Sequence, residues 1–279
     1  MTRILHLSDL HYGRSTPALE EPLLERIEAL APDLVVVSGD FTQRARLSQF
    51  TQAREFLDRL RVPWLAVPGN HDTPLDNIFV RFFKPFSRYK RFITRDLEPV
   101  FRKGPVVVRG VNSVNPYAWK SGRLSRGTLR RLTRCFAEGE QDEKAPLQIA
   151  VLHHPLEMPP DHGAPQMRHA AEVLHQLAEA GADVVLSGHL HMARSQPFTT
   201  APGLLFVQAG TGLSTRLRGE QNTFNLLDCA RDRVEISTWA ARESGFVKRD
   251  GACFQREELG WQREEAAAPA KDKDDRQEG

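Results

Sequence analysis

Cysteine is scarce in this sequence. Cys135, Cys229 and Cys253 are the three in 279 residues, scattered and odd in number. That excludes a disulfide framework and fits reduced thiols in a cytoplasmic protein. No apolar run approaches the ~20 residues a membrane span requires. The N-terminus enters an apolar strand pattern at once (Arg3-Ile4-Leu5-His6-Leu7), without a charged and then apolar leader. The expected location is therefore the cytoplasm, at most peripheral at the inner membrane. Internal repeats are lacking, and so is a strong charge of one sign, the net value being +2. The mildly basic body argues against a nucleic-acid polymer as partner.

That small net charge hides an asymmetry. Residues 257–279 carry eight acids and four bases, whereas residues 79–103 carry eight bases and two acids. The first stretch is too polar for a core and is expected to be a disordered tail. Residues 1–256 are expected to form one large α/β domain, interrupted by a basic insertion at 78–103.

Within that domain, apolar runs alternate with helical patterns. Ile4–Ser8, Leu34–Ser38 and Pro63–Val67 read as strands, separated by helices over Leu19–Leu30 and Phe50–Leu60. Further strands are expected at Val106–Val111, Leu147–Leu152 and Ala182–Ser187, with helices at Thr128–Phe136 and Met167–Ala180. Beyond them the period becomes two, and Leu204–Gln208, Thr223–Asp228 and Arg233–Trp239 read as antiparallel strands. The charged stretch Glu138–Ala145 reads as a surface loop.

Five of these strands end in oxygen or nitrogen donors: Asp9-Leu10-His11, Gly39-Asp40, Gly69-Asn70-His71-Asp72, His153-His154-Pro155 and Gly188-His189-Leu190-His191. Open α/β sheets gather their ligands at the carboxyl ends of strands. Asp9, His11, Asp40, Asn70, His153, His189 and His191 are too many donors for one ion. They suit two ions if one carboxylate bridges. Carboxylate, amide and imidazole without thiolate fit Mn²⁺, Fe²⁺/Fe³⁺, Zn²⁺ or Co²⁺. Two ions ~3.5–4 Å apart can clamp both oxygens of an in-line displacement at phosphorus. Any one of these histidines alone reads as a polar loop residue, as do His6, His162, His169 and His175 here. The seven together do not.

The blocks Asp-x-His, Gly-Asp, Gly-Asn-His-Asp, His-x-Pro and Gly-His-x-His occur in that order over residues 3–192. In this the chain resembles the calcineurin-like metallophosphoesterases. The resemblance implies a four-layer α/β/β/α sandwich of two mixed sheets. It implies one ion on Asp9, His11, Asp40 and His191, and a second on Asp40, Asn70, His153 and His189, with Asp40 and a hydroxide bridging. His71, next to Asn70, is then the general acid. Asp72 is expected to orient His71 or to accept a supporting hydrogen bond, and His154 to lie behind the ligands or at the surface. Arg14 and Asn112-Ser113 are expected near the rim, where they would meet substrate.

Residues 79–97 add a second pattern. Arg81, Lys84, Arg88, Arg91 and Arg95 fall on one side of a helical wheel. Phe79, Phe82, Phe83, Phe86, Tyr89, Ile93 and Leu97 fall on the other, and Pro85 would split the helix. One reading is a cap whose apolar face covers the sheet beside the metals. The other is a basic amphipathic element for an anionic membrane or a lipid substrate. The layout is similar to the bacterial cyclic-nucleotide phosphodiesterase branch, which implies a 3′,5′-cyclic nucleotide or another small phosphodiester. A lipid pyrophosphate such as UDP-2,3-diacylglucosamine is the alternative, with the insertion as a lid. A non-catalytic metal-bound scaffold would ordinarily have lost ligands, and none is missing here. The first block also occurs in nuclease relatives, but no DNA-binding module follows.

Overall fold

A computed structural model describes residues 1–140, 145–158, 167–243 and 245–264. In chain order the strands and helices are β1 (Thr2–Leu7), α1 (Glu20–Leu30), β2 (Leu34–Val37), α2 (Leu47–Arg59), β3 (Trp64–Ala66), α3 (Ile78–Phe83), α4 (Ser87–Phe92), β4 (Val100–Lys103), β5 (Val106–Gly110), α5 (Arg126–Glu140), β6 (Leu147–Val151), α6 (Ala170–Glu179), β7 (Val184–Ser187), β8 (Arg194–Pro197), β9 (Leu205–Gln208), β10 (Thr223–Cys229), β11 (Arg233–Arg242), β12 (Gly245–Glu257) and β13 (Gly260–Arg263).

They form two mixed sheets, ordered β13-β12-β11-β10-β1-β2-β3 and β4-β5-β6-β7-β9-β8. Successive strand side chains point to opposite faces, so a strand buried on both sides feeds two cores. Ile4, Leu34, Val36, Leu147 and Ile149 meet between the sheets. Leu5, Leu7, Val35 and Val37 face outward onto Leu23 and Ile27 of α1 and Phe50 and Phe56 of α2. On the other side, Ala150, Val185 and Phe206 meet Leu132 and Phe136 of α5 and Val173, Leu174 and Leu177 of α6. These three cores separate four layers, the expected α/β/β/α sandwich.

Three expectations need correction. β9 runs parallel to β7, so only β10 and β11 of the last expected strands are antiparallel to every neighbour. The polar tail does not begin at 257: Glu257 ends β12, and β13 follows, with Trp261 buried. One buried tryptophan anchors a four-residue strand set among charged neighbours, a signal composition averages away. Part of the charged loop is helical, because α5 extends to Glu140. Residues 141–144, His162 and the rest of the expected tail, 265–279, lie outside the described residues.

The insertion divides at Pro85 into α3 and α4, as expected, but its two halves differ. In α4 and just beyond it, Tyr89 and Ile93 are buried and join the outer core with Phe41. In α3 the wheel is inverted. Arg81 is 5% exposed, while Phe79 and Phe83 are 77% and 78% exposed. Arg81 donates to Thr73 Oγ1 and to the Ala118 carbonyl, both at 2.8 Å, which gives its buried N–H groups partners.

Candidate metal centre

The carboxyl ends of β1, β2, β3, β6 and β7 converge, and all seven expected donors stand there. Asp9, His11 and His191 form one cluster, and Asp40, His153 and His189 another; either could hold a metal ion. In the first, Asp9 Oδ1 lies 3.1 Å from His191 Nε2 and 3.4 Å from His11 Nε2, with 3.3 Å between the two nitrogens. In the second, His153 Nε2 lies 3.3 Å from Asp40 Oδ2, 3.2 Å from His189 Nδ1 and 3.2 Å from Asn70 Oδ1. Asp40 Oδ2 also faces the first cluster, 3.7 Å from His11 Nε2.

These spacings fit an ion. Donors about 2.0–2.2 Å from a metal stand roughly 3 Å apart along the edges of its coordination shell. Hydrogen bonding points the same way. His153 Nδ1 donates to the Ser38 carbonyl at 2.7 Å and His191 Nδ1 to the Arg216 carbonyl at 2.8 Å. Each imidazole thereby turns an Nε2 lone pair inward. Around His153 Nε2, an amide oxygen, a carboxylate oxygen and a second imidazole nitrogen crowd together, and one proton cannot satisfy all three. Asp9 Oδ2 accepts from Ser8 Oγ and the His189 amide, while Oδ1 is buried without a hydrogen-bond partner. Asp40 Oδ1 accepts from the His71 amide, leaving Oδ2 toward the imidazoles.

The local field calls for a cation. Burial opposes charge on His153, yet Asp40 and Asp9 push its pKa up to about 9. His191 is raised in the same way, against burial, by Asp9. Burial should lift the carboxyls of Asp9 and Asp40, but the facing histidines hold both below the usual range. His189, with burial first and His153 second, falls to about 3.

The backbone is strained where these donors sit. Asp9, His11, Asp40, His189 and His191 all have φ between 49° and 73°. Left-handed backbone costs an ordinary residue about 1–2 kcal/mol, and such strain collects at functional sites. The chains also pack unusually close: a Cβ on Gly69 would lie 2.1 Å from Asp40 Oδ1.

The model of the calcineurin-like phosphoesterases matches residues 2–193. This chain belongs to the calcineurin-like phosphoesterase family. Over 229 residues it is 24% identical to a probable cyclic nucleotide phosphodiesterase of Synechococcus sp., covering 77% of this chain and 78% of that one. A shorter stretch of 73 residues is 38% identical to the UDP-2,3-diacylglucosamine pyrophosphatase LpxG of Chlamydia muridarum. That stretch is 25% of this chain and spans only 22% of the chlamydial protein. Among solved structures, a dimetal phosphatase from Danio rerio superimposes with a TM-score of 0.62 at 14% identity, covering 90% of this chain and 98% of that one, a likeness of fold.

Around the donors, the structure decides between some of the open expectations and departs from others. His71 Nδ1 donates to the Gln43 carbonyl at 2.7 Å, so Gln43, not Asp72, orients its ring. The Asp72 carboxylate takes the other expected role, accepting from the amides of Phe41, Thr42 and Gly69 and from Thr42 Oγ1 and so stapling two strand ends together. Burial, then Asp40, pushes its pKa up to about 7. Of the two places expected for His154 it takes the one behind the ligands: it is fully buried, its ring 4.9 Å from that of His189. Ser113 is not at the rim: it is buried, and its Oγ lies 2.9 Å from His154 Nδ1 and accepts from the His153 amide. Arg14 is exposed, and its carbonyl anchors the Thr215 amide.

Ser8, Ser38, Trp119 and Arg216, like Gln43, escaped the sequence reading. Ser8 and Ser38 precede Asp9 and Gly39-Asp40, and that repeated serine was the available signal. Trp119 accepts from Asn70 Nδ2 at 3.2 Å through its carbonyl, which turns Asn70 Oδ1 inward. Arg216 reaches His71 from the loop after β9, a sixth strand end with no Asp or His to mark it.

Proposed function

We propose that this phosphoesterase binds two metal ions, drawn from Mn²⁺, Fe²⁺/Fe³⁺ and Zn²⁺, and hydrolyses phosphodiesters, with 3′,5′-cyclic nucleotides as the substrate class. Asp9, His11, Asp40 and His191 hold one ion, and Asp40, Asn70, His153 and His189 hold the other. The observation that carries this reading is Asp40 Oδ2, which faces His153 Nε2 at 3.3 Å and His11 Nε2 at 3.7 Å. When bound, the ion pair supplies Lewis acidity and the hydrolytic nucleophile. His71 carries the proton for the leaving oxygen on Nε2, since Nδ1 is committed to Gln43. Proton donation of this kind is worth ~10²–10⁴ in rate. Asp72 holds His71 and Asp40 in register by joining their two loops.

The lipid pyrophosphate reading rests on a different observation. Phe79, Phe83, Tyr117 and Trp119 are each at least 69% exposed, and the Trp119 carbonyl touches Asn70. Exposed apolar surface beside a polar site suits an amphiphile at an anionic membrane.

The test is turnover by protein reconstituted with Mn²⁺, Zn²⁺ or Fe²⁺. Bis-p-nitrophenyl phosphate, cyclic AMP and a UDP-linked lipid are offered with and without anionic vesicles. Cyclic AMP hydrolysis indifferent to vesicles is the expected result. Activity confined to the lipid or to vesicles would replace the first reading by the second. Silence with both metals in place would reject both.

A further inference from the structure

We infer that Arg216 is a phosphoryl-binding residue, donating to an anionic non-bridging oxygen of a phosphate seated at the Asp9–His11–His191 side of the centre. This rests on the phosphoesterase site proposed above and names a residue that site has lacked: a cation supplied by the chain itself.

Arg216 is delivered by a built loop. Asn222 Nδ2 donates to the carbonyls of Ser214 and Thr211, at 2.9 and 3.4 Å. The Thr215 amide and hydroxyl both donate to the Arg14 carbonyl, and the Thr16 amide to the Leu213 carbonyl. The Arg216 amide donates to Ser214 Oγ, and its carbonyl holds His191. The loop is thus tied both to the segment that follows His11 and to His191 itself.

The side chain at the end of this loop is half-buried and poorly matched where it stands. Its NH1 lies 3.2 Å from His71 Nε2. His71 Nδ1 donates to Gln43, so Nε2 accepts from the guanidinium. That is one hydrogen bond, to a neutral ring, for a group with five donors. Among the described residues no carboxylate lies within 4.0 Å of the Arg216 guanidinium. The His71 ring is in turn 4.9 Å from the His11 ring, which sets Arg216 beside the first cluster. A guanidinium prefers a phosphoryl oxygen to an imidazole lone pair, because the anion accepts charge-assisted and often paired bonds. Moving onto phosphate also vacates His71 Nε2, the atom assigned the proton.

Inorganic phosphate is the probe, titrated calorimetrically into the Mn²⁺-loaded protein with metal content measured on the same samples. Arg216→Ala is expected to weaken phosphate binding roughly ten- to hundredfold, the loss of one charge-assisted pair. Arg216→Lys should recover part of it. In diester assays KM should rise more than kcat falls. Phosphate affinity within twofold of wild type, with two ions retained, would overturn the inference. If Arg216→Ala sheds metal, Arg216→Lys decides: full metal and unchanged phosphate affinity on removing the fork would overturn it too. Wild-type protein that binds phosphate through Arg216 yet hydrolyses no ester would refute the hydrolase assignment and leave this inference standing. Normal diester turnover with phosphate binding indifferent to Arg216 would do the reverse.

Discussion

The strand-end centre and the neighbouring surface of α3 and residues 117–119 break opposite rules of solvation. In the centre, carboxylates, an amide and imidazoles are buried on strained backbone. On α3, phenylalanines face solvent while Arg81 is buried. Buried polar groups and exposed apolar groups are the two arrangements that ordinary folding does not favour. The two meet where Asn70 Nδ2 donates to the Trp119 carbonyl. The two differ in how firmly they are held. In the centre Asp9, Asp40, Asn70, His153 and His191 are each held by a hydrogen bond from outside the clusters, whereas the aromatic surface hangs on Arg81 and the stacking of Phe82 on Tyr117.

That contrast can be broken in steps. Asp40→Ala removes the carboxylate proposed to serve both clusters. We expect fewer than two ions per chain by elemental analysis and turnover at background; two retained ions would show that Asp40 is not shared. His71→Ala should keep both ions and lose ~10²–10⁴ in kcat on esters with poor leaving groups, with far less loss on nitrophenyl esters. Burial, together with His11 and Arg216, lowers the His71 pKa below the ordinary imidazole value, against Asp40. Its proton-donating form is therefore lost as pH rises through that lowered value. The descending limb this produces for poor leaving groups should vanish in His71→Ala.

Gly69→Ala tests the packing. Its Cβ would sit 2.1 Å from Asp40 Oδ1. Displacing a ligand's support typically costs 10–100-fold in metal affinity or activity, read here by metal titration. Chelation should lower the midpoint of thermal unfolding, because ions that bind only the folded state stabilise it by about 2.7 kcal/mol at a hundred times Kd. The smallest effect belongs to the other region. Phe79→Ser with Phe83→Ser should change soluble diester turnover less than twofold; a larger loss would draw the aromatic surface into the catalytic reaction.

The two regions were also unequally legible in the sequence. Asp9, Asp40, Asn70, His153 and His189 could be placed together because β/α alternation fixes which strand ends share an edge. The pairing of α3 faces with core and solvent could not be read, because a six-residue helix that is apolar at every position but Arg81 presents no single apolar face. Its orientation is set by Thr73, in the turn just before the helix, and by Ala118, distant in sequence. Ser113 and Gln43 act through a single buried atom or a carbonyl, which no side-chain pattern announces. β12 was hidden by its charged residues, Lys248, Arg249, Asp250, Arg256 and Glu257, and β13, a four-residue edge strand, is too short to show a period.

The claim on which the account turns is that one carboxylate joins two ions. Electron paramagnetic resonance of the protein loaded with two equivalents of Mn²⁺ tests it most directly. The account predicts an exchange-coupled pair in the wild type, with no isolated six-line Mn²⁺ spectrum. Two magnetically independent ions, or saturation at one ion per chain, would contradict it.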